Sequence, residues 1–242
     1  MANPVLNERV LQNQRTLSSE PMTINGSINK TFILLAFLAA GSFAVWHLFA
    51  LGAVDKVMAL TTVSFITSII SFIIIMFNKN IINVMAPVYA ASEGVLLGGI
   101  SVMLEQSYPG IAIQAIALTM LCLLSMLVLY RAGIIKCTEK FRSVLFISTL
   151  AIAGIYLINF IGHFFHMQIP YIFTSSSIGI GFSLIVVGIA SLNLIIDFDF
   201  IEKGAQMLLP KNMEWYGAFG LMVTLVWLYI EILNLLAKMR DR

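Results

Sequence analysis

Seven long apolar blocks divide most of the sequence, and they constrain its fold more than any other feature. They lie near residues 32–53, 57–77, 84–104, 110–130, 144–165, 178–200 and 215–237. Each block holds about 20 residues, the length that a helix needs to cross roughly 30 Å of hydrocarbon. A soluble domain of this size would need a charged shell, but 60% of the residues are hydrophobic and only 11% are charged. The pattern predicts an all-α polytopic membrane protein with seven transmembrane helices.

The first thirty residues are polar and contrast with the rest of the chain. Their composition is typical of a tail and not of a cleavable signal peptide, whose short apolar stretch lies near the start. We therefore predict a polar N-terminal tail over residues 1–30 and a seven-helix transmembrane domain over residues 31–239. The lipid bilayer is the first expected partner of such a domain.

The basic residues between the blocks predict the orientation, because cytoplasmic loops carry an excess of Lys and Arg. With the N-terminus inside, the inner segments hold 10 of these residues and the outer segments hold 4. The segment 131–143, RAGIIKCTEKFRS, contributes four of the ten, so we place it in the cytoplasm. With seven spans, the basic C-terminal segment KMRDR then lies outside, although basic residues are expected to be in excess on the cytoplasmic side. The alternative is one re-entrant block and a C-terminus that is also inside.

Charge and cysteine content argue against several other classes of protein. The net charge is only +2 and the basic residues lie mostly between apolar blocks, so nothing indicates nucleic-acid binding. Cys122 and Cys137 have no Cys/His pattern around them, which argues against a disulfide framework or a zinc site. We expect no resident cofactor.

Glycines gather in the third and sixth blocks. EGVLLGGIS contains Gly94, Gly98 and Gly99, and SIGIGFSLIVVGIAS contains Gly179, Gly181 and Gly188. Small residues about four positions apart let helix backbones approach closely. We therefore expect the third and sixth helices to be packed interior helices.

Four acids lie within the apolar blocks: Glu93 in the third, Asp197 and Asp199 at the end of the sixth, and Glu231 deep in the seventh. A carboxylate near the bilayer centre costs about 2.5–3.5 kcal/mol on insertion scales, so such groups usually face the bundle interior and mark ion or proton pathways. No Lys or Arg lies well inside any block to neutralise them. The acids must therefore share protons, coordinate a metal ion or contact water.

Asp197 and Asp199 are about 200° apart around a helix, so only one of them faces the interior. Glu202 and Lys203 follow Asp199 at i+3 and i+4, which predicts a solvated, paired acid at the helix end. Asp197 is then the interior candidate.

Glu231 and Glu93 are the deeper candidates for an ion pathway or a pH sensor. Glu231 has Trp227 one turn before it and Asn234 one turn after it, in an otherwise apolar helix. The histidines are weaker signals, because HFFH, which runs from His163 to His166, lies at a helix end where an interfacial position is the default interpretation.

Four stretches of the chain resemble the Bax inhibitor-1 family of small multi-pass membrane proteins, specifically its bacterial YccA-like branch. They are AAGSFAVWH, SEGVLLGGISVMLEQSYPGIAIQAI, LVLYRAG, and LIIDFDFIEKGAQ followed by WLYIEILNLLAKM. The similarity covers roughly residues 31 to 239, and the order and spacing of the stretches carry it. The resemblance implies a fold in which six helices surround a central C-terminal helix.

The same resemblance implies a pH-sensitive calcium leak through the bacterial plasma membrane, with calcium as the permeant ion and no catalysed reaction. In the family, an acid near the end of helix six and an acid in helix seven share a proton and gate the pore. The first falls on Asp197 or, with a small shift, on Asp199, and the second falls on Glu231. Asp197 and Glu231 are therefore expected to contact calcium transiently.

Ideal helix geometry places Asp197 and Glu231 at different depths, since they are 34 residues apart on neighbouring helices. Asp197 could reach Glu231 only if the seventh helix started later or contained a break. Otherwise Glu231 would have to pair with a different acid. Glu93 is the alternative partner.

Other function classes fit the sequence less well. A regulator that acts by binding other membrane proteins is compatible with the polar N-terminal tail. An intramembrane metal-dependent hydrolase is weaker, because the sequence has no HExxH and no GxSxG. A retinal-type light sensor needs a Lys within the last helix for its Schiff base, and the seventh block has none before Lys238.

Overall fold

The computed structural model describes residues 20–165 and 172–241, and seven long helices make up most of them. In chain order they are α1 (Ile24–Ala50), α2 (Val54–Phe77), α3 (Ile82–Ser107), α4 (Ile111–Arg131), α5 (Glu139–Phe164), α6 (Ser177–Gln206) and α7 (Met213–Arg240). All seven are long and apolar enough to span a bilayer. No β-strand occurs among the described residues. The prediction of an all-α protein with seven transmembrane helices is confirmed.

Helix α1 begins earlier than the hydropathy predicts. The side chain of Thr23 caps it by accepting a hydrogen bond from the Gly26 N–H at 2.9 Å. Residues 24–30, which we assigned to the polar tail, are therefore helical. Residues 1–19, the rest of the predicted tail, lie outside the described residues.

Helix α7 packs against α6, α1, α4 and α3. Its most apolar window is 67% buried inside the protein, against 11% for the corresponding windows of α1 and α5. Aromatic rings fill its contacts with α3 and α2, where Phe219 meets Tyr89 edge to face at 5.1 Å and Phe72 at 6.1 Å. Much of the hydrophobic core therefore lies along α7. A ring of six helices around it stays a prediction.

Helix α3 packs against α1 at a distance that only glycine permits. A Cβ atom added at Gly94 would lie 2.0 Å from the carbonyl oxygen of Leu38 in α1. This contact confirms α3 as a packed interior helix. The expectation for α6 is only partly right, because a Cβ atom added at Gly181 or Gly188 would meet no atom within 4 Å. These two glycines do not bring another helix close to α6.

The loop between α4 and α5 contains Cys137, whose thiol is partly buried. The Nε of Arg142 lies 3.2 Å from its Sγ. Burial, and then the negative charge of Asp199, raises the pKa of the thiol to about 12. Because the thiolate is the reactive form, Cys137 is expected to react slowly with labelling reagents at neutral pH. The exposed Lys136 beside it is a better reporter of orientation.

We predict that Lys136→Cys, in a chain that also carries Cys137→Ser, is labelled by an impermeant maleimide only after cells are permeabilised. The basic residues of segment 131–143 favour the cytoplasm. Lys56→Cys in the same background is the matched control, since the same topology places the exposed start of α2 outside. Labelling of Lys136→Cys in intact cells would show that the topology is the reverse of the predicted one.

Candidate functional site

Helices α6 and α7 are antiparallel neighbours, and their register sets the distance between Asp197 and Glu231. A Cβ atom added at Gly217 would lie 2.9 Å from the Cγ1 of Ile201, so these two positions face each other. Counting back from Ile201, Asp197 faces a point about four residues after Gly217. Glu231 lies about ten residues further along α7, roughly 15 Å away along the axis. Asp197 and Glu231 are therefore not brought together, and in this arrangement one calcium ion cannot contact both carboxylates.

The carboxylate of Glu231 is buried and receives hydrogen bonds from two neutral donors. The Tyr156 hydroxyl of α5 lies 2.8 and 2.9 Å from its two oxygens. The indole Nε1 of Trp227, one turn earlier on α7, donates to Oε1 at 3.0 Å. Asn234, the other polar neighbour seen in the sequence, is exposed. Glu231 thus connects α7 to α5 through the hydroxyl of Tyr156.

Lys238 is the charged residue that acts on Glu231 at longer range. Its ammonium group donates to the carbonyl oxygens of Ile172 and Gly179 at 3.0 and 3.3 Å, and to the hydroxyl of Ser183 at 2.9 Å. These three contacts hold the ammonium group against the start of α6. The hydrogen bonds that the structure shows at Glu231 therefore come from uncharged groups.

Asp199 differs from the prediction of a solvated acid. It is buried, with 7% of its surface exposed. Lys203 pairs with it at 3.0 Å, as its i+4 position indicates, and Arg142 from the first turn of α5 forms a second ion pair. The solvated prediction is wrong because Arg142, although at a helix end, reaches α6 and encloses the carboxylate.

Asp197 is fully buried, which confirms that it faces the interior. It lies one turn before Ile201, the residue that packs against Gly217 of α7. Asp197 is therefore on the α7 side of α6, while Asp199, about 200° away, is on the other side.

Glu93 lies in the middle of α3 and is buried, with 8% of its surface exposed. The side chains of Tyr89 and Ser68 are its hydrogen-bond neighbours, one on α3 and one on α2. Ser101 lies two turns beyond Glu93 on α3, and its hydroxyl is 2.8 Å from the hydroxyl of Tyr229. Ser101, and not Glu93, is therefore near the level of Glu231 in the membrane. The structure therefore does not pair Glu93 with Glu231.

A polar stripe on α5 supplies partners to these helices, and we missed it in the sequence. Arg142, Thr149 and Tyr156 are each seven residues apart, a spacing that keeps side chains on one face of a helix. Arg142 pairs with Asp199 and Tyr156 bonds Glu231. Between them, the Asn193 amide of α6 donates to the hydroxyl of Thr149 at 3.2 Å. The seven-residue spacing of polar residues in an apolar helix was the available signal.

One end of the bundle, which carries the loops 132–138 and 207–212, holds a second set of charges. Glu214, at the start of α7, pairs with Lys30 of α1 and accepts bonds from the backbone N–H and hydroxyl of Thr23, both at 2.9 Å. Glu20 pairs with Lys211 in the loop between α6 and α7. These contacts fasten the start of α1 to the start of α7.

A cavity of about 710 Å³ lies between α1, α3, α4 and α7. Most of its lining is apolar, and the exposed Phe43 and Ile113 are among the lining residues. Glu93, Asp197, Asp199 and Glu231 do not line it. We therefore place the candidate site at the acids and not in this cavity.

The histidine pattern gives no metal centre within the described parts of the chain. His163 is exposed, and His166 lies outside the described residues. No group of three or more His, Cys, Asp and Glu residues that could hold a metal ion occurs in the described ranges.

Comparison with known proteins identifies one match. A family model described as Bax inhibitor 1 like matches residues 3–241. No curated protein and no solved structure matches the chain.

We predict that Arg142→Gln lowers the free energy of unfolding by about 1–3 kcal/mol, because it removes one of two cations from a buried carboxylate. Lys203→Gln should cost less than about 1 kcal/mol, since the Lys203 side chain is 37% exposed. Thermal unfolding of the purified variants in one detergent measures both.

The double variant Arg142→Gln with Asp199→Asn should be more stable than Arg142→Gln alone, because it also removes the buried charge that Lys203 alone compensates only in part. Strictly additive losses in this cycle would show that the two side chains do not form the pair.

Proposed function

The chain belongs to the Bax inhibitor 1 like family, and we propose that it lets calcium ions leak across a membrane under the control of protons on its intramembrane carboxylates. Its seven spanning helices make it an integral multi-pass membrane protein. The bacterial plasma membrane and the YccA-like branch of the family are part of the proposal. No catalysed reaction is assigned.

The surroundings of Glu231 are the observation that carries this proposal. An ionised carboxylate accepts hydrogen bonds from Tyr156 and Trp227 at its oxygens, and bonds to an ionised acceptor are about twice as strong as neutral ones. A proton on Glu231 removes that charge and turns one oxygen into a donor. Protonation therefore weakens the link between α5 and α7. In the proposed mechanism, the linked and the weakened arrangements of these two helices differ in stability and in calcium leak.

The acids divide into two groups by the charge of their partners. Asp199 has Arg142 and Lys203, and Glu214 has Lys30. These carboxylates join helices through ion pairs. The contacts shown at Glu231 and Glu93 are made by uncharged tyrosine, tryptophan and serine groups. We assign the proton-responsive role to Glu231, with Glu93 as a further candidate.

Calcium is the proposed ion because hard divalent cations take carboxylate and carbonyl oxygens as ligands. Asp197 and Glu231 offer such oxygens at two levels of the membrane, separated by roughly 15 Å along the helix axis. They therefore act as successive contacts and not as one shared site. A multi-site path with weak individual contacts also suits conduction, since an ion must leave each site as readily as it enters.

We predict that purified protein in calcium-free liposomes admits calcium at a rate that depends on pH between about 5 and 8. Glu231→Gln carries no titratable charge at this position and resembles the protonated form. Its leak should therefore equal the low-pH limit of the wild type and show a much flatter pH profile. Fluorescence of an entrapped calcium dye measures both rates.

Asp199→Asn is the matched control, because Asp199 is held by two cations. It should change the pH profile less than Glu231→Gln does. Equal effects of the two variants, or a flat profile for the wild type, would contradict the assignment. Absence of any leak in the wild type would instead favour a regulator that acts on other membrane proteins.

A further inference from the structure

Asn193 on α6 is a buried polar residue that the proposed function has not used. Only 2% of its surface is exposed. Its Nδ2 donates to the carbonyl oxygen of Ile189 at 2.8 Å and to the hydroxyl of Thr149 at 3.2 Å. Its Oδ1 is buried and accepts no hydrogen bond from the described residues.

An orphan amide oxygen in this position has an energetic cost. A buried acceptor without a donor loses its hydration without replacement, and native structures contain few of them. The donating side of the amide already connects α5 to α6 through Thr149. The hydrogen bond to Thr149 therefore uses the amide nitrogen of Asn193, and the amide oxygen can accept a different ligand.

The position of Asn193 links the two acids that the structure keeps apart. It precedes Asp197 by four residues, so the two lie about 40° apart on α6 and about 6 Å apart along its axis. In the register set by Gly217 and Ile201, Asn193 faces a point roughly 9 Å from Glu231 along α7. The Oδ1 of Asn193 thus lies partway along the gap between Asp197 and Glu231.

We propose that the Oδ1 of Asn193 binds a hard divalent cation such as calcium as the ion passes between Asp197 and Glu231. This inference rests on the proposed cation leak and defines its route, which follows the junction of α5, α6 and α7. Side-chain amide oxygens are regular calcium ligands. A neutral ligand between two carboxylates also holds the ion less tightly than a third carboxylate would, which favours its release to the next site.

The hydroxyls of α5 lie along the same route. Thr149 contacts the amide of Asn193, and Tyr156 contacts the carboxylate of Glu231. Both belong to the polar stripe of α5, while α5 itself packs chiefly against α6. The route is therefore lined by oxygens from three helices: α5, α6 and α7.

The test compares three variants in the liposome assay. Asn193→Leu removes the oxygen with little change in volume, and Asn193→Asp keeps an oxygen and adds a charge. Ser191→Ala is the matched control, because Ser191 is equally buried on α6 but its hydroxyl bonds the carbonyl oxygen of Val187 in its own helix at 2.8 Å. Calcium and potassium entry are measured for each variant, and thermal unfolding shows which variants are folded.

We expect Asn193→Leu to lower calcium entry about tenfold, the equivalent of losing one ligand contact. Asn193→Asp should still conduct, with a higher ratio of calcium to potassium entry than the wild type, and Ser191→Ala should behave as the wild type. Wild-type entry in Asn193→Leu would overturn the inference. Equal losses in both Asn193 variants with an unchanged ion ratio would also overturn it, since that pattern indicates a structural role. If Asn193→Leu does not fold, the ion ratio of Asn193→Asp decides.

Terbium luminescence separates failure of this inference from failure of the proposed function. Terbium is a hard cation with the oxygen preference of calcium, and the indole of Trp227 lies beside Glu231 to sensitise it. We expect a terbium signal that Trp227→Phe removes and that Asn193→Leu strongly weakens. No calcium entry in the wild type would reject the leak, whereas a Trp227-dependent signal unchanged in Asn193→Leu would reject the Asn193 site.

Discussion

A carboxylate inside a bilayer must obtain its hydrogen-bond donors from protein, because lipid chains supply none. This constraint accounts for much of the way the helices of this protein meet. Glu231 takes donors from α5 and α7, and Asp199 takes cations from α5 and α6. The most apolar window of α5 is only 11% buried, yet these polar contacts fix both its rotation and its height against α6.

The charged partners are concentrated at the end of the bundle that carries the loops 132–138 and 207–212, and the uncharged partners lie deeper. Lys30, Arg142 and Lys203 all pair with acids near that end. A charged group loses less of its hydration close to the membrane surface, because long side chains can reach water there. Complete ion pairs therefore cost less free energy near the surface than at the bilayer centre. The deeper Glu231 accepts hydrogen bonds from neutral groups. The structure therefore combines ion pairs at one end of the bundle with neutral hydrogen-bond partners further inside.

The sequence allowed the helices to be predicted because a spanning helix must satisfy its own backbone and remain apolar for its whole length. The boundaries were less predictable. Helix α1 starts early because the side chain of Thr23 caps it, and α6 continues to Gln206 through charged residues. Hydropathy detects the membrane-crossing part of a helix and not its polar extensions.

The acids of the apolar helices could also be found from the sequence, but most of their partners could not. Trp227 was visible because it lies one turn from Glu231 on the same helix. Arg142 and Asp199 are far apart in the chain, and only the packing of α5 against α6 brings them together. Asn193 was overlooked although it precedes Asp197 by one turn, and the seven-residue stripe of α5 would have pointed to the same junction.

We propose that ions pass along the junction of α5, α6 and α7, and cadmium block of a single cysteine distinguishes this route from others. In a chain with Cys122→Ala and Cys137→Ser, Thr149→Cys places a thiol beside Asn193, while Leu150→Cys places one on the surface of α5, where Leu150 is 61% exposed. Cadmium binds thiolates strongly because both are soft. We expect cadmium to block calcium entry through Thr149→Cys and to leave Leu150→Cys unaffected. Unblocked entry through Thr149→Cys, or equal block of both variants, would show that ions do not follow this junction.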